Sequence, residues 1–399
     1  MSLQKPEASP GPLGHVRILD FTQLLQGPLA TQILADLGAD VVKVEKPGGE
    51  WMRHWGILAS RTNGEMDSFL AFNRNKRSLA VDLKDPAVVA GLLKGSTDFD
   101  IVVENFRPGV MSRLGLGYED FRRHNDSIIY ASSSGYGQDG PYRKRPGQDL
   151  LVQALSGALF LTGRAQDPPT PTGIGISDEY TGVHLVIAIL AALAHRDRTG
   201  DGQRVSVDLF SCTVAAQQQE LTVYLNHGEP LERAAEAVGH VGGTAPFGVY
   251  ATSDGYLALA MMPCPSLGAV LGVKWLDEYD TNERMFYQRD EIHRLLSTHF
   301  ATRTTADWLE VLDASDVWCA PVQDYAALEK DPQVVHNDLI WTVPIGEDDS
   351  KTFRTVGTPF RFSETPLAVR RGVPRAGQHN AEILESLGMS EPAADKPCT

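Results

Sequence analysis

The sequence predicts an α/β fold with a parallel sheet and a second, smaller domain. Short apolar runs alternate with segments of helical spacing over the first 135 residues, and this alternation implies a sheet covered by helices. Near residue 225 the composition shifts to mixed, more highly charged segments, which indicates a second domain. The last 70 residues contain several prolines and then a short helical pattern, which suggests a return to the first domain.

Each element is predicted from a local pattern. Continuous or alternating apolar residues predict strands at 16–21, 40–45, 100–105, 127–134, 204–210 and 256–262. Apolar residues at helical spacing predict helices at 31–39, 86–94, 109–124, 181–196 and 381–388. The helix at 181–196 is apolar nearly all round, which predicts deep burial. Its longest apolar run, 183–194, is too short to span a bilayer.

These patterns also place the domain boundaries. Residues 1–12 are polar and rich in proline, and we predict a disordered tail that is neither a secretory signal nor a transit peptide. The large domain takes residues 13–224 together with 331–399, and the small domain takes residues 225–330. With no membrane association predicted, the expected location is cytoplasmic.

Charge and cysteine content exclude several other classes of protein. A net charge of -15 argues against a general nucleic-acid binder, which would show a broad basic surface. The four cysteines are scattered without metal-ligand spacing, so no metal site is predicted. The chain contains no P-loop, HExxH or GxSxG motif, and its nearest approach to GxGxxG, residues 173–178, ends in aspartate after a proline-rich loop.

Positive residues gather after the predicted strands. Each one alone is best interpreted as a solvated surface residue, but their recurrence in an acidic protein would suit a ligand with several phosphates. They are Lys43, Lys46, Arg53, Arg74, Lys76, Arg77, Arg107, Arg113, Arg143, Lys144 and Arg145.

Asp178 stands in SDEYTG, directly before the apolar helix, and two interpretations stay open. Either Asp178 or Ser177 is an N-cap, or Asp178 is a carboxylate nucleophile. We expect the helix dipole and free amides to lower its pKa and keep it ionised, and an ionised carboxylate can attack an acyl thioester. The GHVGG segment at 239–243 is likewise either an ordinary loop or a backbone that approaches a reacting carbonyl or acts as a lid.

Several blocks of this sequence resemble the family III CoA-transferases, also called the CaiB/BaiF family, which includes formyl-CoA transferase. The resemblance runs from about Leu13 to Gly388 and rests on LDFTQLLQGPLATQILADLGADVVKVEKPGGE, FNRNKRSLAVDLK, DIVVENFRPGVMSRLGLGYE, IIYASSSGYGQDGPY, GQDLLVQALSG, SDEYTGVHL, RTGDGQRVSVDLF and FGVYATSDGYLAL. It implies a Rossmann-like large domain formed by both ends of the chain, a smaller central α/β domain, and an interlocked homodimer. Coenzyme A or acyl-CoA would be a substrate rather than a permanently bound cofactor, with small carboxylic acids as partners.

The resemblance also implies roles for individual residues. Asp178 would be the nucleophile, forming an aspartyl anhydride and then an aspartyl-CoA thioester, and Gly242 and Gly243 would guard the reacting carbonyl through amides that stabilise oxyanions. Contacts to coenzyme A would fall on Lys46, Asn75, Lys76, Arg77, Asn105, Phe106 and Arg113. Among the arginines, Arg143 and Arg145 would suit either a dicarboxylic acceptor or a phosphate.

Two departures from related patterns bear on the chemistry. Where formyl-CoA transferase has a catalytic glutamine, this chain has Leu25, flanked by Gln23 and Gln26. Where α-methylacyl-CoA racemases have a histidine base in GHD, this chain has Gln148, which cannot take a proton at neutral pH. Transfer is therefore favoured over racemisation. His184 and His240 are the nearest alternative bases, and a non-catalytic acyl-CoA-binding protein is the remaining alternative.

Overall fold

The computed structural model describes residues 11–55, 61–346 and 348–389. The predicted tail at 1–12 lies largely outside the described residues. The strands are β1 Arg17–Asp20, β2 Asp40–Glu45, β3 Arg61–Thr62, β4 Glu65–Met66, β5 Lys76–Ala80, β6 Ile101–Glu104, β7 Ile129–Ser134, β8 Arg204–Asp208, β9 Gly248–Ala251, β10 Tyr256–Leu259, β11 Cys319–Pro321, β12 Ile340–Ile345 and β13 Asp348–Val356.

The helices are α1 Gln26–Asp36, α2 Asp67–Leu70, α3 Pro86–Lys94, α4 Val110–Arg113, α5 Tyr118–Arg122, α6 Asp149–Ser156, α7 Ile176–Thr199, α8 Leu209–Ala216, α9 Gln218–His227, α10 Cys264–Leu271, α11 Asn282–Tyr287, α12 Arg289–Phe300, α13 Thr305–Asp313, α14 Tyr325–Leu328, α15 Pro332–His336 and α16 Asn380–Ser386. The single helix predicted at 109–124 is two helices, because Gly115 adopts a left-handed conformation (φ +74°) between α4 and α5.

The central sheet is parallel, with strand order β5-β2-β1-β6-β7-β8. Counted along the chain, these six strands have the Rossmann order 3-2-1-4-5-6, in which the order reverses between β1 and β6. The predicted strands that became β1, β2, β6, β7 and β8 are confirmed. Strand β5 was not predicted from the sequence. It begins with Lys76 and Arg77, which were expected in a loop, and its first residues show no alternation of apolar and polar side chains.

Apolar side chains cover both faces of this sheet. One cluster joins Ile18, Val41 and Ile101 to residues of α1 and α7, including Leu34 and Leu185. The cluster on the other face joins Leu19, Val42 and Val102 to α3 and α16. Because successive strand residues point to opposite faces, two helix layers sandwich the sheet, and β1, β2, β6 and β7 place apolar side chains on both faces.

Helix α7 differs from its prediction. It is longer than expected, and only part of its surface is buried within the described chain: Val183 is 43% exposed, Ile187 56% and Leu190 36%. These residues lie at i, i+4 and i+7, so they form one apolar stripe on the helix. By length and composition alone α7 is also apolar enough to cross a membrane, a test that core helices of water-soluble proteins pass as well.

The described chain forms two compact units. The first takes in the described residues up to Val152, Gly175–Ala216 and those from Gln333 onward, and it holds the parallel sheet. The second takes Gln153–Ile174 and Gln217–Pro332, so residues 153–174, 217–224 and 331–332 group with it and not with the large domain as predicted. In the second unit, the antiparallel sheet β11-β10-β9 packs against helices around Tyr250, Leu296 and Trp308.

Candidate active site

A cavity of about 140 Å³ lies where the strand order of the parallel sheet reverses. Ligands bind at this point in open α/β sheets because the loops after the two diverging strands leave a crevice. The loops after β1, β6 and β7 all reach this cavity, as does the first turn of α7. The residues that line this cavity include Leu25, Gln26, Asn105, Phe106, Arg107, Arg143, Arg145, Gln148 and Asp178.

Asp178 lies in the first turn of α7 and lines this cavity. Backbone amides at the start of α7 donate to a different carboxylate from the one expected. The Oδ1 atom of Asp149 accepts hydrogen bonds from the backbone nitrogens of Ser177 (2.8 Å) and Asp178 (3.2 Å). Burial, with added repulsion from Asp149 and Glu179, raises the pKa of Asp178 to about 7. The prediction of a lowered pKa was wrong, because burial and the charges of Asp149 and Glu179 raise it.

Two close backbone approaches assemble the site. A side chain on Gly182, one turn after Asp178, would come within 2.8 Å of the Gln26 carbonyl oxygen, so its absence lets α7 pack against the start of α1. Similarly, a Cβ on Gly135 would lie 2.5 Å from the Gly147 Cα atom. This second approach brings the loop after β7 against the segment that carries Gln148 and Asp149.

The first loop places two glutamines differently. Gln26 lines the cavity with Asp178, and its Oε1 atom accepts a hydrogen bond from Ser133 Oγ at 2.7 Å. Gln23 lines an adjoining cavity, and its backbone N–H and C=O both bond to the Asn105 side chain at 2.8 Å. Gln26 is therefore the glutamine of this loop that shares a cavity with Asp178, while Asn105 holds the loop in place.

Adjoining cavities extend from Asp178 along the sheet edge. Phe106 lines both the Asp178 cavity and a second cavity of about 260 Å³ that contains Lys46 and Lys84. Lys84 also lines a third cavity, of about 460 Å³, together with Arg113. The predicted contacts Phe106, Lys46 and Arg113 thus follow one another along a single groove of the first unit.

The predicted contacts Asn75, Lys76 and Arg77 lie elsewhere. Lys76 is fully buried, with its Nζ atom 3.1 Å from Asp20 and bonded to Asn73 and the Pro28 carbonyl, and burial lowers its pKa to about 8. Asn75 is buried too, and its side-chain amide donates to Asp36 at 2.7 Å. Arg77 pairs with Asp40 (2.6 Å) and Glu382 (3.1 Å). All three side chains are engaged in internal contacts of the fold.

Three arginines line the Asp178 cavity. Arg107, Arg143 and Arg145 have no carboxylate within ion-pair distance among the side chains that the structure describes. The guanidinium of Arg145 stacks over the Tyr142 ring, 4.0 Å from its centroid. Stacking fixes the plane of a guanidinium while leaving its N–H donors for a ligand. In an acidic protein, this cavity is a local positive site.

The glycine loop, residues 239–243 of the second unit, is held by its own histidine. The Gly242 N–H donates to His240 Nδ1 at 3.0 Å, and the Gly243 N–H donates to the His240 carbonyl oxygen at 2.8 Å. His240 Nε2 in turn lies 2.6 Å from Glu220 Oε1. Both glycine amides are therefore occupied in this conformation, which differs from the expectation that they are free to stabilise an oxyanion.

Comparison with known proteins decides the family. The sequence pattern of CoA-transferase family III matches residues 13–380, nearly the whole chain. The chain belongs to this family.

Relatives of this family III CoA-transferase match it over most of their length. It is 37% identical to an acyl-CoA transferase of Fusarium pseudograminearum, covering 99% of this chain and 89% of that protein. It is 36% identical to succinyl-CoA:glutarate CoA-transferase of mouse, over 96% of this chain and 88% of that protein. The crystal structure of a CaiB/BaiF family protein from Brucella suis has a TM-score of 0.84 at 31% identity, covering 95% of this chain and all of that one.

The predicted alternative bases have ordinary roles in this CoA-transferase. His184 Nδ1 contacts the Tyr180 carbonyl oxygen of the same helix at 2.8 Å, and its ring packs on that of Tyr180. His240 belongs to the glycine loop of the second unit. Of the residues that line the cavity beside Asp178, Gln148 occupies the GHD position, and an amide there cannot exchange protons with a substrate carbon.

Proposed function

We propose that this CoA-transferase moves CoA from an acyl-CoA donor to a dicarboxylic acid acceptor, with Asp178 as the nucleophile. The carrying observation is the cavity that places Asp178 beside Arg107, Arg143 and Arg145. A dicarboxylic acid brings one carboxylate to react and a second that needs a cationic partner. Guanidinium groups bind carboxylates in a planar, two-point geometry that suits this second group. The mouse relative is named for its succinyl-CoA:glutarate CoA-transferase activity, which agrees with such an acid.

The first half of the reaction forms the covalent intermediate. The ionised Asp178 carboxylate attacks the thioester carbonyl of the donor, the C–S bond breaks, and CoA leaves as a thiolate. The thiolate then attacks the Asp178 carbonyl of the resulting mixed anhydride. The donor acid leaves as a carboxylate, and an aspartyl-CoA thioester remains on the enzyme.

The second half repeats these steps in reverse order with the acceptor. Its carboxylate attacks the aspartyl thioester and expels CoA thiolate, giving a new mixed anhydride. The thiolate attacks the acceptor carbonyl, which releases the new acyl-CoA and restores the Asp178 carboxylate. Gly242 and Gly243 are assigned the task of shielding these intermediates, because both hydrolyse when water enters.

The groove beyond Phe106 suits the rest of coenzyme A. Lys46 and Lys84 supply positive charge in the cavity next to Phe106, and Arg113 supplies it in the cavity that Lys84 also lines. We assign these three side chains to the phosphates and Phe106 and Asn105 to the junction with the acyl cavity. Asn75, Lys76 and Arg77, with their internal partners, are assigned to supporting the sheet beneath this groove.

We further propose that two copies of the chain form the interlocked homodimer implied by the family resemblance. The stripe of Val183, Ile187 and Leu190 on α7 supports this, since an exposed apolar stripe of that kind is stabilised by burial against a partner. A cytoplasmic location stays a prediction.

Trapping the intermediate tests the assignment of Asp178. The enzyme is incubated with succinyl-CoA and treated with hydroxylamine or borohydride, and peptides are analysed by mass spectrometry. We expect modification at Asp178, and we expect Asp178→Ala to abolish exchange of labelled CoA between succinyl-CoA and glutarate. Full exchange activity in Asp178→Ala would refute the assignment. Deuterium wash-in at the acyl α-carbon without any acceptor acid would instead indicate racemisation.

A further inference from the structure

The backbone of the glycine loop is engaged on both of its sides. On one side, the amides of Gly242 and Gly243 donate to His240. On the other, the buried Arg289 guanidinium donates to the carbonyl oxygens of Val241 (2.9 Å) and Gly243 (3.4 Å). A segment with two adjacent glycines has high conformational entropy unless such bonds restrain it. The loop therefore has one defined conformation, set by two side chains.

The hydrogen bonds determine the tautomer of His240. A backbone N–H can only donate, so Nδ1, which receives the Gly242 N–H, must be the unprotonated nitrogen of the ring. The ring proton then sits on Nε2 and is donated to Glu220 Oε1 at 2.6 Å. Glu220 belongs to α9, outside the loop, and only 17% of its side chain is exposed. The carboxylate thus orients the imidazole from a regular element.

We infer that His240, oriented by Glu220, is a positioning residue that holds the Gly242–Gly243 loop in the single conformation described above. This inference rests on the proposed function, in which that loop protects the acyl-enzyme intermediates from water. Since the two amides are already donated to His240, they do not bind an oxyanion in this conformation. Release of the His240 contact would leave the Gly242 amide without its partner and loosen the loop.

Matched variants test the two hydrogen bonds of the His240 ring one at a time. His240→Ala removes both bonds. His240→Asn retains an oxygen near the Nδ1 position, so it keeps an acceptor for the Gly242 N–H while losing Glu220. Glu220→Gln keeps an acceptor for Nε2–H, and Glu220→Ala removes it.

The readout is the ratio of succinyl-CoA hydrolysed to CoA transferred in the same reaction with glutarate, measured on the full-length protein. Because the ratio is internal, it does not depend on how much of a variant is folded. We expect a rise of about threefold to tenfold in His240→Ala, the factor that loss of one hydrogen bond gives. A smaller rise is expected in Glu220→Ala, and near wild-type ratios in His240→Asn and Glu220→Gln.

Two outcomes distinguish this inference from the proposed function. If wild-type enzyme carries the trapped group on Asp178 and transfers CoA, but His240→Ala leaves the ratio within about twofold of wild type, then the positioning role is wrong and the function stands. If wild-type enzyme neither forms the Asp178 adduct nor transfers CoA, the proposed function fails, and the inference fails with it.

Discussion

Asp149 Oδ1 lies 3.2 Å from the backbone nitrogen of Asp178, so one carboxylate caps the helix turn that carries the other. The cap positions Asp178 and at the same time repels its negative charge. This repulsion adds to the burial that raises the pKa of Asp178 to about 7. The nucleophile is therefore half protonated near neutral pH, which makes its reactivity sensitive to pH.

The rate of Asp178 acylation is expected to rise with pH to a plateau, with a midpoint near pH 7, because only the carboxylate attacks. Asp149→Asn keeps an oxygen that can cap Ser177 and Asp178 but removes the like charge. The midpoint should then fall by roughly 0.5–1 pH unit. Single-turnover release of CoA from succinyl-CoA, followed from pH 5 to 9, measures both midpoints. An unchanged midpoint in Asp149→Asn would show that the Asp149 charge does not contribute to the raised pKa.

Stability should respond to the same carboxyl group. The folded-state pKa of Asp178 lies above the unfolded value of 3.8, so the native state binds more protons between those two values. Ionising Asp178 therefore lowers the free energy of unfolding as pH rises from about 4 to about 7. Asp178→Asn should be more stable than wild type at pH 8, by on the order of 1 kcal/mol, and no more stable at pH 4. Urea unfolding at both pH values measures this, with the exposed Asp139→Asn as the control that should show no such difference.

Arg145 is expected to select dicarboxylic acceptors. Arg145→Met should lower kcat/KM for glutarate relative to butyrate by about 10-fold to 100-fold, since a charged hydrogen bond contributes about 1.5–3 kcal/mol. Lys144→Met removes the same charge from a neighbouring residue that does not line the Asp178 cavity, and it should leave the ratio unchanged. Steady-state exchange assays with glutarate and butyrate measure this ratio of kcat/KM values. If the KM for succinyl-CoA rises while the acid ratio is constant, Arg145 binds a phosphate.

Replacement of Lys76 by methionine should lower stability, whereas replacement of Lys46 should weaken acyl-CoA binding. Lys76→Met leaves the fully buried Asp20 carboxylate without the ammonium 3.1 Å away, and we expect a loss of about 3 kcal/mol in unfolding free energy. Lys46→Met changes an exposed side chain of the groove, so unfolding should shift by less than about 0.5 kcal/mol while the KM for acyl-CoA rises. Denaturant titration and kinetics on both variants test the pair. If Lys76→Met is as stable as wild type and its KM for acyl-CoA is raised, Lys76 contacts CoA after all.

The apolar stripe of α7 should control oligomeric state. Ile187 is 56% exposed within the described chain, and Ile187→Lys would bury a charge in the proposed dimer interface. Sedimentation velocity should show a dimer for wild type and a shift to monomer, or loss of soluble protein, for the variant. Arg198→Glu, on the same helix beyond the stripe, is the control that should remain dimeric. A monomeric wild-type protein would contradict the proposal.

The sequence by itself determined five of the six strands of the parallel sheet, and the family. Strands β1, β2, β6 and β7 carry apolar side chains on both faces because helices cover both faces of a parallel sheet, and that pattern is local and visible in the residues. The alternation of β8, RVSVD, is visible in the same way. The blocks that resemble the family are likewise contiguous stretches of sequence. They therefore indicate Asp178 as a candidate nucleophile without any information about its tertiary surroundings.

Only the tertiary structure decided how the charges are used. Lys76 was expected in a loop facing a ligand, but its partner Asp20 lies 56 positions earlier in the chain and no local pattern connects them. The pKa of Asp178 is raised and not lowered as predicted, since the fold buries its carboxyl group and brings the Asp149 carboxylate, on another helix, close to it. Electrostatic free energies depend on burial and on partners distant in sequence, and only folding determines those.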